Sequence, residues 1–131
     1  MVRRVKRSPY ASDIMVCGEV TPAQKTVLMR QSHIVAMTSI KEGWGLVVTE
    51  ANSQGTPAIV YDTDGLRDSV RHNVTGIICH KNKPYVLAKN IVALLHHRKK
   101  YDQLRKSAWM WSKEINFDKC YRGFMCVILF K

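Results

Sequence analysis

Two glutamates, Glu42 and Glu50, flank a segment whose composition suits the binding of a diphosphate. Between them, Gly43 and Gly45 allow a tight turn and let the backbone approach a ligand closely. If a helix begins here, the free N–H groups of its first turn favour an anion. Carboxylates accept hydrogen bonds from sugar hydroxyls, so this pattern suits a nucleotide-sugar, in which a diphosphate lies between two sugars. The same residues are equally compatible with a purely structural turn.

The elements that would position this segment follow from short apolar runs that alternate with helical patterns. Strands are predicted at residues 14–17, 33–37, 58–61 and 76–79. Helices are predicted at 22–31, 44–54 and 66–71, from Pro84 onward, and from near Lys99 onward. This order predicts an α/β fold, a Rossmann-like parallel sheet of about four strands flanked by helices.

Local signals support the first of these helices and the placement of the loop. Thr21, Pro22 and Gln24 form a capping-box pattern at a helix start. The loop with Glu42 follows the strand at 33–37, and ligands of open α/β sheets bind outside the carboxyl ends of strands. The sequence therefore predicts a ligand site at this edge of the sheet.

The order of motifs resembles a known enzyme family. Glu42 and Glu50 form an E-x7-E motif within SIKEGWGLVVTEA, which begins at Ser39, and GTPAI follows from Gly55. The likeness also takes in Gly18, Lys25, the DGLRDSV segment from Asp64 and the Asn73 to Ile78 segment. Over about residues 14–117 the chain resembles the C-terminal, donor-binding domain of a GT-B retaining glycosyltransferase of the group 1 or family 4 type.

The resemblance implies a role for each matching residue. Glu42 would be the catalytic residue that contacts the donor sugar near the reacting centre, and Glu50 would bind the ribose hydroxyls. The backbone of Gly45, Leu46 and Val47 would hold the diphosphate. The remaining donor-binding positions are Gly43 and Trp44, the latter standing where the family usually has Phe. The resemblance implies no metal and no cofactor, the nucleoside-diphosphate sugar being the donor substrate.

Two parts of the family pattern have no counterpart in this sequence. Residues 1–20 do not resemble the glycine-rich loop whose Arg and Lys clamp the diphosphate, and no acceptor domain precedes the match. We therefore expect a basic, poorly ordered segment at 1–12 and an incomplete nucleotide-sugar-binding domain at 13–131. A missing N-terminal acceptor domain or partner subunit is expected, and a bare sheet edge predicts self-association.

These patterns favour the donor-binding part of a retaining glycosyltransferase, inactive alone, that transfers a hexosyl group. The alternative is a non-catalytic binding or interaction module that keeps the glycosyltransferase fold. The missing clamp favours the module, whereas the intact segment from Glu42 to Glu50 favours the enzyme.

Charge leaves a further possibility open. Lys and Arg number 21 and Asp and Glu 10, a net charge of +11, within a sequence of 131 residues that is 46% hydrophobic. A solvated basic face explains this, and attraction to an anionic membrane surface is the functional alternative. No nucleic-acid-binding motif supports a nucleic-acid partner. Without a signal-peptide pattern, we expect a cytoplasmic protein with reduced cysteines, either free or peripheral to the inner face of the membrane. The basic positions cluster toward the last helices and are Lys81, Lys83, Lys89, Arg98, Lys99, Lys100, Arg105 and Lys106.

Two remaining features have structural interpretations. His96 and His97, with His80 and Cys79, fit no metal-ligand spacing and are interpreted as polar caps. The apolar run at 124–130 predicts a final strand or a segment that docks on a partner domain.

Overall fold

The structure is a computed structural model that describes residues 5–129. Arg3 and Arg4 of the basic N-terminal segment, and Phe130 of the apolar run at 124–130, lie outside the described residues. After a short 3-10 helix at Ala11–Asp13, six helices and three strands follow. The helices are α1 Pro22–Gln31, α2 Leu46–Ser53, α3 Asp64–Ser69, α4 Pro84–His96, α5 Arg98–Glu114 and α6 Phe117–Leu129. The strands are β1 Val35–Met37, β2 Ala58–Val60 and β3 Gly76–Ile78.

The three strands form one parallel sheet in the order β1-β2-β3. Ala36 is in register with Ile59, and Ile59 with Ile77. Helices α2 and α3 lie between consecutive strands, as parallel neighbours require a crossover connection. The predicted α/β class and flanking helices are confirmed, with three strands in place of about four.

The difference in strand number comes from residues 14–17, where the prediction of a strand is wrong. This stretch is exposed and has no strand partner in the sheet. Met15 and Cys17 instead line a cavity of about 510 Å³ together with Ala23, Val27 and Leu28 of α1. The apolar run therefore lies against a helix, and β1 forms the edge of the described sheet.

The core has two parts because strand side chains alternate between the two faces of the sheet. On one face, Ala58 and Val60 pack with Val48 of α2 and with Leu66 and Val70 at α3. On the other face, Ile59 is fully buried and packs within a cluster that α4 and α5 complete. The residues of this second cluster are Ile59, Ile77, Cys79, Val86, Leu94, Tyr101 and Leu104.

Helices α1 and α5 show how local sequence and packing act together. The capping box of α1 is present as predicted, since Gln24 N–H donates to Thr21 Oγ1 at 3.3 Å and Thr21 N–H donates to Gln24 Oε1 at 2.9 Å. Helix α5 packs against both α2 and α4. Its Tyr101 Oη donates to the carbonyl of His33 at 3.1 Å, which ties α5 to the segment that leads into β1.

The apolar run that ends the chain is helical, so the prediction of a final strand at 124–130 is wrong for its described residues. Phe117, Tyr121, Phe124 and Ile128 recur at steps of three and four along α6, the spacing of one helix face. None of the residues of α6 is buried. Within residues 5–129, no helix combines the length and the apolar character needed to span a membrane.

Candidate functional site

The candidate site is built on the loop that connects β1 to α2. Gly45 is the N-cap of α2 and has the left-handed backbone angles φ 77° and ψ 57°. A Cβ at this position would lie 2.7 Å from Leu66 Cδ2, so only glycine fits both the angles and the space. The chain therefore turns sharply here, and the first helical bond, from Val48 N–H to Gly45 O, is 2.8 Å long. The helix begins at Leu46, two residues later than the predicted start at Trp44.

A second glycine brings the next loop against this one. Gly65 in α3 is buried, and a Cβ on it would overlap the backbone of Glu42 and Gly43. The backbone of the β1 loop thus packs directly on the start of α3. This contact holds the backbone of Glu42 against the helix that follows β2.

Hydrogen bonds join the loops at the carboxyl ends of all three strands. Thr63 Oγ1 after β2 donates to the carbonyl of Ser39 after β1 at 2.8 Å. Asn82 after β3 accepts from Asp62 N–H at 2.7 Å and donates to the Asp62 carbonyl at 3.0 Å. The three loops that border the site therefore form one connected unit.

Arg67 adds a charged contact to the same edge. Its Nε donates to Asp62, and its Nη1 donates to Asp64 Oδ1 at 2.8 Å. The hydrogen bond from Arg67 holds the pKa of the Asp62 carboxyl below its ordinary value, with a further contribution from the positive charge of the guanidinium. Asp62 is therefore an anion at neutral pH and is neutralised by Arg67.

Glu42 lies half-buried beside the turn at Gly45. Its Cγ is 3.6 Å from the point that a Cβ on Gly45 would occupy, so the side chain runs alongside the N-terminus of α2. Anions and hydrogen-bond acceptors are favoured at this end of a helix by its dipole. The side chain of Glu42 thus lies beside the residue at which the predicted diphosphate-binding turn begins.

Glu50, one turn further into α2, faces α1. Lys25 Nζ donates to both of its carboxylate oxygens, at 2.7 and 2.8 Å. The two side chains are 39% and 43% exposed, so a ligand can reach the carboxylate. A carboxylate has about four lone-pair positions, and two remain after the Lys25 contacts.

The other predicted donor-binding residues occupy the same segment in different environments. Trp44 folds back on α2, where its Nε1 donates to Thr49 Oγ1 at 2.9 Å. Leu46 and Val47 are exposed at the first turn of α2. Trp44 also lines an apolar cavity of about 490 Å³ together with Trp111 and Ile115.

The sequence did not assign a role to three of the contacts that shape this site. Lys25 was noted only as part of the motif order, and its contact with Glu50 spans 25 residues, beyond any local pattern. The Thr63 and Asn82 contacts likewise join separate loops. The sequence signal for these contacts between loops is the DGLRDSV segment, because a glycine at the start of a short helix is typical of a close backbone approach.

His97 and Cys79 each accept a hydrogen bond from a neighbouring residue of the fold. His97 Nδ1 accepts from Lys100 N–H at 3.3 Å at the start of α5, which confirms its interpretation as a polar cap. Cys79 is buried and accepts from Asn90 Nδ2 at 3.5 Å. Across residues 5–129, no three His, Cys, Asp or Glu side chains are grouped as a metal site would need.

Comparison with protein families gives one match that spans most of the chain. The model described as "Glycosyl transferases group 1" matches residues 5–110. The D-inositol 3-phosphate glycosyltransferase of Jonesia denitrificans is 32% identical over 111 residues, which are 82% of this chain and 26% of that protein. An uncharacterized glycosyltransferase of Methanocaldococcus jannaschii is 26% identical over 112 residues, 86% of this chain and 32% of that protein.

Among solved structures, the sucrose-phosphate synthase from Thermosynechococcus elongatus superposes with a TM-score of 0.85. The match covers 98% of this chain and 33% of that chain at 22% sequence identity, and it shows the fold alone. The chain spans between 22% and 32% of the length of the first three curated relatives that it matches.

Proposed function

This chain belongs to the group 1 glycosyl transferases, and from that membership we propose that it is the part of a retaining glycosyltransferase that binds the donor nucleotide-sugar. The observation that carries this proposal is the left-handed turn at Gly45. It starts α2 at the carboxyl edge of the sheet, between a half-buried Glu42 and an accessible Glu50. We propose that the diphosphate binds the N–H groups of Gly45, Leu46 and Val47.

Each glutamate has a separate role in this proposal. Glu50 accepts hydrogen bonds from the ribose hydroxyls through the lone pairs that Lys25 leaves free, and Lys25 fixes the carboxylate in place. Glu42, beside Gly45 in the loop, contacts the donor sugar. Gly65 lets the backbone of Gly43 pack on α3, and Trp44 supports the turn through its contact with Thr49.

Calorimetric titration with UDP, GDP and ADP tests the proposal on the full 131-residue chain. We expect weak, saturable binding of at least one nucleoside diphosphate. Glu50→Gln removes a charged acceptor and should weaken that binding about tenfold. Glu42→Gln should leave it unchanged, because a nucleoside diphosphate lacks the sugar that Glu42 contacts.

Asp102→Asn is the matched control for Glu50→Gln. Asp102 also forms an exposed ion pair, with Arg98 Nε at 2.9 Å, and it lies on α5 away from the loop. Its substitution removes the same charge and should change affinity less than about twofold. Equal losses in both variants would mean that Glu50 acts only through net charge, and binding of none of the three nucleotides would favour a non-catalytic interaction module.

A further inference from the structure

We propose that the chain has a second anion site, for the phosphate group of a small phosphomonoester, at the outer edge of β3. A cavity of about 380 Å³, here called the edge cavity, lies between β3 and the junction of α4 with α5. Its polar lining consists of His72, Asn73, His80, Asn90, His97 and Lys100. This site is separate from the β1 loop and does not rest on the proposed nucleotide binding.

The two best-fixed histidines of the edge cavity each retain one ring N–H. His72 Nδ1 accepts from the backbone N–H of Ile78 at 3.0 Å, and His97 Nδ1 accepts from the N–H of Lys100 at 3.3 Å. An imidazole that accepts through Nδ1 carries its proton on Nε2. Both rings are therefore held by the backbone with Nε2–H as a donor.

Lys100 and Asn73 supply further donors beside these rings. Lys100 Nζ donates to Asn73 Oδ1 at 2.9 Å, which leaves two ammonium protons and the Asn73 amide N–H2. Asn73 has a left-handed backbone with φ 60°, and its N–H donates to the carbonyl of Gly76 at 2.8 Å. The position of this side chain is thus set by a tight loop and by Lys100 together.

The chemistry of the edge cavity selects an anion with a small organic part. No carboxylate lines it among the residues that the structure describes, so its donors are not neutralised from within. Ile77, Ile78 and Leu94 form an apolar wall. Its volume lies within the range of about 300–1,000 Å³ that is typical of small-molecule sites. A small phosphomonoester fits this lining, because its phosphate group can accept hydrogen bonds from the donors and its carbon skeleton can pack on the apolar wall.

Phosphate titrations of the full chain, followed by the imidazole NMR signals, test this site. Inorganic phosphate and glucose 6-phosphate are the two probes. We expect saturable shifts of His72 and His97, with His33 and His96 unmoved because neither lines the cavity. Tighter binding of glucose 6-phosphate identifies a phosphorylated metabolite as the ligand, whereas equal binding identifies free phosphate.

Lys100→Gln and Lys99→Gln form a matched pair, since they remove the same charge from adjacent positions of α5 and only Lys100 lines the edge cavity. Lys100→Gln should weaken binding about tenfold by removing a charge-assisted hydrogen bond, and Lys99→Gln should change it less than about twofold. Glu50→Gln should leave the phosphate titration unaltered, which separates this site from the nucleotide site.

Two results would overturn the proposal. The first is the absence of saturable histidine shifts in the unsubstituted chain at millimolar concentrations of either probe. The second is an equal loss of affinity in Lys99→Gln and Lys100→Gln, which would reduce the effect to the net positive charge of α5. The histidine shifts of the unsubstituted chain decide the question even if a variant does not fold.

Discussion

Gly45 combines two constraints that are usually met by separate residues. Its φ of 77° is strained for any side chain, and the space where a Cβ would project is filled by Leu66. The residue that starts α2 is thereby tied to the residue that packs α3 into the core. A substitution here changes both the direction of the loop and the packing below it.

Gly45→Ala should lower the free energy of unfolding by about 1–2 kcal/mol from the backbone angle alone, with a further loss from the contact with Leu66. Urea denaturation measures this change. Gly43→Ala is the control, because its Cβ would meet nothing within 4 Å, and it should cost less than about 0.5 kcal/mol. Similar losses in the two variants would mean that the β1 loop rearranges freely around Gly45.

Helix α2 carries the site on one side and an unusual buried amide on another. Asn52 is fully buried, and within the described part of the chain neither its Oδ1 nor its Nδ2 has a hydrogen-bond partner. A buried polar group without a partner costs about 1–3 kcal/mol. The unpaired amide of Asn52 therefore offsets part of the stability that α2 gains by packing against α5.

Asn52→Leu should raise the free energy of unfolding by about 1–2 kcal/mol, because it removes the unpaired amide and keeps a side chain of similar shape. Thermal and urea unfolding both measure this change. Ser53→Ala, at the exposed neighbouring position, should alter stability by less than about 0.5 kcal/mol. A destabilising Asn52→Leu would show that the amide has a bonding partner in solution.

The elements also show what the sequence could predict. The start of α1 and the three strands of the sheet were predictable because caps and short apolar runs are local signals. Residues 14–17 carry the same apolar signal, yet they lie on α1, and pairing with β1 is a non-local choice. In α6 a contiguous apolar run concealed the helical spacing that begins at Phe117.

The same distinction holds within the site. The segment from Glu42 to Glu50 was recognisable because its motif is contiguous, and α2 does begin inside it. The contact between Glu50 and Lys25 was not predictable, because Lys25 reaches Glu50 from another helix. The roles of the two glutamates and of the donor-binding residues remain predictions that the titrations above test.

For the molecule as a whole, a cluster of positive charge runs from the segment before α4 through α5. Seven of the eight clustered Lys and Arg side chains of α4, α5 and the segment before them are exposed, and Lys100 is half-buried. Arg105 donates to the carbonyl of Gly55 at 3.0 Å, so part of this charge also joins elements. Within residues 5–129, the exposed apolar face of α6 and the edge strand β1 are both surfaces that a partner or a second copy could cover.

We expect the chain alone to transfer no sugar, since it covers 26% of the length of the Jonesia denitrificans relative and the resemblance implies that catalysis needs a second domain. Release of nucleoside diphosphate from UDP-glucose, GDP-mannose and ADP-glucose measures turnover, with and without a sugar acceptor. Glu42→Gln serves as the control for a contaminating enzyme. Steady turnover that Glu42→Gln abolishes would show that this domain is sufficient for transfer.

The position of Trp44 has a practical consequence for optical spectroscopy. It is one of three tryptophans, and it alone lies in the β1 loop, where Thr49 holds its indole. The other two are each covered by a cation, Trp111 by Arg71 at 3.5 Å and Trp109 by Lys113 at 3.3 Å from the ring centre. Intrinsic fluorescence of this chain therefore contains a reporter within the loop itself, and a Trp44→Phe variant isolates its emission from that of the other two.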